Sequence, residues 1–175
     1  MEPFVQMLTG GHPNSLGRTI EVVDQVLAHP GELEQLFQCY FSNDEVVRLR
    51  TSNALKRIWR QHPDWLAPYL DRFISEIALI DQASTRWTLA QLFQELDAWL
   101  SPEQRRAATH VLQRNLDESN DWIVINQTLQ TLTIWAQKDA ELRDWLTPYL
   151  ARFSHDSRKS VSRTAAKLSR SLSLR

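Results

Sequence analysis

The nonapeptide WLAPYLDRF at residues 65–73 returns as WLTPYLARF at residues 145–153. The copies differ only at Ala67 against Thr147 and at Asp71 against Ala151. Their displacement of 80 residues is one unit of that length or two of about forty. Periods of roughly 20–50 residues belong to chains that stack small supersecondary units. Each such unit has an apolar face that it cannot bury alone, so repetition constrains the fold before any single residue does. It specifies a scaffold and a surface, and no reaction.

The apolar residues around the two copies follow a helical period. Leu33, Leu36, Phe37 and Tyr40 mark one helix, and Val47, Thr51, Ala54, Leu55 and Ile58 its partner. The layout recurs with Leu66, Leu70, Phe73 and Ile77 before Thr85, Leu89, Leu92, Phe93 and Leu96. A third pair has Ala108, Val111, Leu112 and Leu116, then Val124, Thr128, Thr131, Leu132 and Trp135. A fourth has Leu146, Leu150 and Phe153, then Val161, Ala165, Leu168 and Leu172. The second stripes start at 47, 85, 124 and 161, in steps of 38, 39 and 37 residues. This spacing predicts hairpin units at 31–62, 63–100, 101–138 and 139–175 in a single 1–175 domain. A partial unit at 1–30 precedes them, with Phe4 to Leu8 and then a stripe of Leu16, Ile20, Val23 and Leu27.

Turn chemistry supports these boundaries. His29-Pro30-Gly31 and His62-Pro63-Asp64 stop helices. Ser101-Pro102-Glu103-Gln104 reads as a capping box, and Ser42-Asn43-Asp44 and Ser119-Asn120-Asp121 as capping turns. Pro68 and Pro148 follow Asp64 and Asp144 by four residues, early enough in a helix to be tolerated, with a kink or a later helix start as the alternative. The Gly-rich run Thr9–Thr19 reads as a link whose Asn14 or Ser15 caps the next helix; backbone N–H groups approaching an anion are its alternative reading.

The run LEQLF (33–37) followed by SNDEVVRLRTSNALKRI (42–58) resembles a HEAT repeat. Asp44, Val47-Arg48 and Ala54-Leu55 match that pattern, with Thr51 where the family often has Ala. The second unit keeps Arg86 but has Gln82 for the Asp, and the third keeps Asp121 and Val124 but has Ile125 for the Arg. The fourth is looser, and the likeness runs over roughly residues 31–173. It implies an all-α fold, a right-handed α-solenoid of about four and a half HEAT-like hairpins, with the second helices on the concave side. Arg48 would then be a ladder residue bonded within or between repeats.

Non-core positions of those second helices recur in register: Asn53, Gln91, Gln130 and Lys167; Arg50, Thr88, Gln127 and Thr164; Leu49, Trp87, Asn126 and Arg163. The candidate surface is therefore Arg50, Asn53, Arg57, Trp87, Gln91, Asn126, Gln127 and Gln130. Columns of amides and basic groups suit an extended partner, and equally suit an ordinary solvated helix face. Trp87 and Trp122 lie off the apolar stripes, as anchors for a partner if exposed and as packing residues otherwise.

The expected function is a non-enzymatic interaction scaffold that binds a protein partner on the concave face. Nucleic acid is the alternative partner, including a DNA-glycosylase-like enzyme with Trp87, Trp122 and Asp121 facing the lesion, and phycobilin lyases are a looser family precedent. A net charge of −1 weighs against dedicated nucleic-acid binding, although residues 156–175 hold six basic side chains and one acid, a balance of +5 against −6 elsewhere. The last helix, with Arg158, Lys159, Arg163, Lys167 and Arg170, reads as a cap that complements its own carbonyl end, or as a phosphate-binding surface. A lone cysteine, Cys39, between apolar neighbours reads as a packing residue. The five histidines have no metal-ligand spacing, and no cofactor is expected. With no long apolar run and no secretory pattern at Met1–Gly11, the expectation is no membrane partner, a cytoplasmic setting, and a monomer or weak homo-oligomer.

Overall fold

The structure is a computed structural model that describes residues 2–173. Its helices are α1 (Phe4–Leu8), α2 (Thr19–Ala28), α3 (Leu33–Gln38), α4 (Glu45–Gln61), α5 (Pro63–Leu66), α6 (Leu70–Ser75), α7 (Ala83–Glu95), α8 (Pro102–Glu118), α9 (Trp122–Ala136), α10 (Ala140–Phe153) and α11 (Lys159–Ser173). Short 3-10 turns join several of them, and the described residues contain no strand. None of these helices is long and apolar enough to cross a membrane. The chain forms two compact units, residues 1–88 and 89–175, with the division inside α7.

Side-chain caps start the long helices. Asp44 accepts from the Val46 amide at 2.8 Å to begin α4. Ser101 and Gln104 form a reciprocal capping box at the head of α8, where Pro102 takes a position whose N–H would have no helical partner. Asp121 accepts from the amides of Ile123 and Val124 at 2.9 and 3.0 Å, and Asp139 from Leu142 at 3.0 Å.

The two copies of the nonapeptide fold differently around their prolines. Pro63 starts α5, so one turn precedes Pro68, and the chain tightens into a 3-10 turn at Ala67–Tyr69 before α6. Pro148 lies well inside α10, which starts at Ala140 rather than near Asp144. Two turns hold that helix before the proline, and Pro148 and Asp144 are both exposed, so water reaches the carbonyl deprived of its N–H.

The copies agree in what they touch. Leu66, Leu70 and Phe73 are buried in one, and Leu146, Leu150 and Phe153 in the other. Each tyrosine bonds an acid 32–35 residues earlier: Tyr69 the carboxylate of Glu34, and Tyr149 that of Asp117 at 2.6 Å. Burial, and then that carboxylate, raise the Tyr69 phenol to about 12. Each arginine lies over a ring, Arg72 over Phe37 at 4.2 Å and Arg152 over Phe153 at 4.7 Å. Arg72 also reaches Glu34 at 2.9 Å, 38 residues away. The tyrosine of each copy, and Arg72 in the first, therefore tie a helix to one that comes about one period before it, while Arg152 stays on its own helix.

Other bonds have the same reach. Arg48 donates to Gln82 Oε1 at 2.6 Å, and Gln82 Nε2 returns a bond to the Glu45 carbonyl at 3.0 Å. In the second unit the Thr131 hydroxyl donates to the Ala90 carbonyl at 2.8 Å, and Arg158 to that of Asn120 at 2.6 Å.

The cores follow the helical stripes. Phe37, Tyr40 and Phe73 meet edge to face at 5.2–6.2 Å in the first unit. In the second, α9 packs against α8, α10 and α11, with ten of its fifteen residues buried. Cys39 is buried, and that burial raises its thiol to about 11, so it packs as an apolar residue and holds little thiolate near neutral pH. The stripe expected on α2 is displaced. Leu16 and Ile20 are 38% and 45% exposed, whereas Thr19, Val22, Val23 and Val26 are buried. The helix begins at Thr19, whose hydroxyl donates to the Leu16 carbonyl, and neither Asn14 nor Ser15 caps it.

The cap of α4 sets a pH dependence. The Val46 amide, and then the Thr9 hydroxyl, hold the Asp44 carboxyl below its ordinary value. Its contribution to stability is complete above the unfolded carboxylate range and is lost as pH falls through the lower folded value. Asp44→Ala is expected to cost about 1 kcal/mol at neutral pH, measured as a urea midpoint, and the difference from wild type should shrink as pH falls below the ordinary carboxylate range.

Candidate functional site

The candidate residues divide among three helices, and their surroundings separate them. Arg50, Asn53 and Arg57 share one face of α4. Arg50 is 1% exposed, and this overturns its expected place on an open binding surface. Its guanidinium donates to the carbonyls of Leu8, Gly10 and Thr9 at 2.7, 2.6 and 3.3 Å, of Ser15 at 3.2 Å and of His12 at 3.3 Å. The Gly-rich run is wrapped around this cation. It turns carbonyls inward to a buried arginine, the opposite polarity from N–H groups aimed at an anion. Gly10, Gly11 and Gly17 all have positive φ, and a Cβ on Gly17 would lie 2.8 Å from Arg50 Cζ. The N-terminal segment thus covers the first half of this face, and Asn53 and Arg57 farther along are half-buried.

Trp87 and Gln91 are also half-buried, one turn apart on α7. On α9, Asn126 is 7% exposed and donates to Ser160 Oγ on α11 at 2.8 Å, which makes it a bracket between helices rather than a surface group. Gln127 and Gln130 are partly open to solvent.

Those two glutamines belong to a strip missed by counting columns. Trp122 is 49% exposed and Ile134 44%, with Ile123, Gln127 and Gln130 partly exposed between them. The sequence of α9, WIVINQTLQTLTIWA, contains no charged residue. The opposite side of the helix is core, so its surface side is an uncharged band with an indole at one end and a branched aliphatic near the other. The missed signal was the absence of charge across 122–136, including the solvent side. Asp121, at the head of this helix, uses its carboxylate to cap α9.

Two recesses in the same unit have compensated charge. One of about 500 Å³ lies beside Asn120, Arg152 and Arg158, and one of about 400 Å³ beside Arg106, His110 and Trp145. Arg158 is paired with Asp156 at 2.8 Å, which holds that carboxyl at about 2, and Arg106 with Glu103 at 3.2 Å. Among the described residues no cluster of His, Cys, Asp and Glu is placed to hold a metal ion.

The wrapped arginine makes two substitutions informative. Arg50→Leu leaves inward-facing carbonyls without a donor and is expected to cost about 3 kcal/mol. Gly17→Ala combines strain at positive φ with a clash against the guanidinium and is expected to cost about 2 kcal/mol. Chemical denaturation reads both, and increased proteolysis confined to residues 2–17 would locate the damage.

Comparison of the chain with protein families, with curated proteins and with solved structures finds no match.

Proposed function

We propose that the chain is a non-enzymatic interaction module, a HEAT-like right-handed α-solenoid of about four and a half hairpins, which binds a protein partner through the second helix of its hairpins. Bonds that reach about one period along the chain support the stacked reading. Arg48 to Gln82 joins the Arg position of one unit to the Asp position of the next in the HEAT-like pattern, and the tyrosine–acid links join successive first helices.

The observation that carries the binding role is the solvent side of α9. A helix with no charge and with Trp122 and Ile134 about half exposed is costly to leave in water and suited to a partner. The cores of protein interfaces are depleted in charge and enriched in aromatic side chains. Gln127 and Gln130 lie between the apolar ends, where each amide offers a donor pair and an acceptor to a partner's backbone. A polyphosphate backbone finds no cation on this strip, so a protein surface fits it better.

A photo-crosslinking residue placed at Gln130 tests this in the native cell, with Glu103 on α8 as the control position. A discrete adduct from position 130 and none from 103 is expected. Trp122→Ala with Ile134→Asp should reduce the adduct about tenfold or more. An unchanged adduct in that double variant, or equal adducts from both positions, would contradict the proposal.

A further inference from the structure

The last helix carries a charge pattern found on no other described helix. Lys159, Arg163, Lys167 and Arg170 are all exposed and recur at i, i+4, i+8 and i+11, one row along three turns. At 1.5 Å per residue the row is about 16 Å long, with a positive charge roughly every 6 Å. The sequence KSVSRTAAKLSRSLS contains no acid.

Six other arginines are neutralised by ion pairs within the molecule. Arg18 pairs with Glu2 and Glu21, Arg72 with Glu34 and Glu76, Arg86 with Asp81, Arg105 with Asp97, Arg106 with Glu103 and Arg158 with Asp156. Among the described residues no ion pair is found for any of the four cations in the α11 row.

Helix electrostatics do not account for the row. A cation in the last turn is favourable, which explains Arg170. Lys159 is the first residue of α11, at the positive end of the dipole, where a cation is unfavourable. Neighbouring like charges one turn apart also oppose helix formation. The apolar side of α11 is already used, since Val161, Ala165 and Leu172 are buried. The row is therefore a solvent face with an uncompensated charge, held against local helix stability.

We infer that α11 docks an acidic segment of a protein partner, carrying about one carboxylate per helical turn. An acidic helix with Asp or Glu at i and i+4 has the same axial charge spacing as the row, so the two match charge for charge. The rest of the chain decides between a short acidic segment and an extended polyanion. In the unit that holds α11, residues 89–155 carry −3 against +5 in 156–175. Within the same compact unit, residues 89–155 hold nine acidic and six basic side chains, so a nucleic acid or an anionic membrane extending past α11 gains no further net positive charge there, whereas a short peptide needs only the row. Nor does α11 offer an aromatic side chain for a base to stack on. The inference rests on reading the chain as a protein-binding module, but on different residues from the α9 strip.

Three probes separate the occupants by fluorescence anisotropy: a labelled helical peptide with Glu at every fourth position, a short DNA duplex, and vesicles containing phosphatidylserine. Tightest binding of the peptide is expected, weakened by added salt. The Lys159→Gln, Arg163→Gln, Lys167→Gln, Arg170→Gln variant should lose about tenfold or more in peptide affinity, with circular dichroism confirming that it stays folded. Lys167→Gln alone provides a milder variant and should weaken the peptide by a smaller factor. Tighter binding of duplex or vesicles than of peptide, or peptide affinity unchanged in both variants, would overturn the inference. Crosslinking from Gln130 reports the α9 strip separately, so its failure beside intact peptide binding condemns that strip and not the row.

Discussion

The side-chain bonds that span about one period are what the rest of this structure depends on. Arg48 and Gln82, Tyr149 and Asp117, and Thr131 and the Ala90 carbonyl each join residues 32–41 positions apart. Apolar stripes alone let neighbouring helices slide or rotate, because hydrophobic burial has no direction. Polar bonds with fixed geometry set the register in which the stripes meet. A buried hydroxyl or guanidinium left unpaired by a shift in register would cost the desolvation of that group. Both copies of the nonapeptide divide the work in this way: their Leu and Phe fill the core and their Tyr bonds an acid on an earlier helix, while Arg72 also reaches an earlier ring and acid and Arg152 lies over rings of its own helix.

The N-terminal segment is held by a different device. Too short to build a stripe of its own beyond Phe4, Met7 and Leu8, it closes around Arg50 through its carbonyls. That use of Arg50 moves the open surface away from the first half of α4. The uncharged side of α9 and the cationic side of α11 remain, on two helices that Asn126 and Ser160 pin together. The second unit thus combines an apolar band and a charged row on neighbouring helices, a combination suited to a partner with both apolar and acidic residues.

Helix positions and core residues were largely legible in the sequence. The stripes of α4, α7 and α9, from Val47 to Trp135, are buried as their period implies. The caps at Asp44, Ser101 and Asp121 were equally legible, because capping depends on residue type and local order. The site was less so. Arg50 occupies a surface-like position in the helical register, and only a loop some 40 residues earlier buries it; no local pattern encodes that contact. The roles of Asn126 and Ile134 likewise depend on where α11 lies, which is a tertiary fact. The α2 stripe was misplaced because a helix start at Thr19 rather than near Leu16 turns the apolar face. Pro148 is inside a helix as expected, but deeper than its distance from Asp144 implied, because the cap at Asp139 decides where α10 begins.

The central claim is that polar bonds one period apart fix the register of the hairpins. A double-mutant cycle on Arg48→Ala and Gln82→Ala, read by urea denaturation, tests it most directly. A coupling of about 1 kcal/mol between the two substitutions is expected. Effects that add to within about 0.3 kcal/mol would show that the pair contributes no register and would contradict the account.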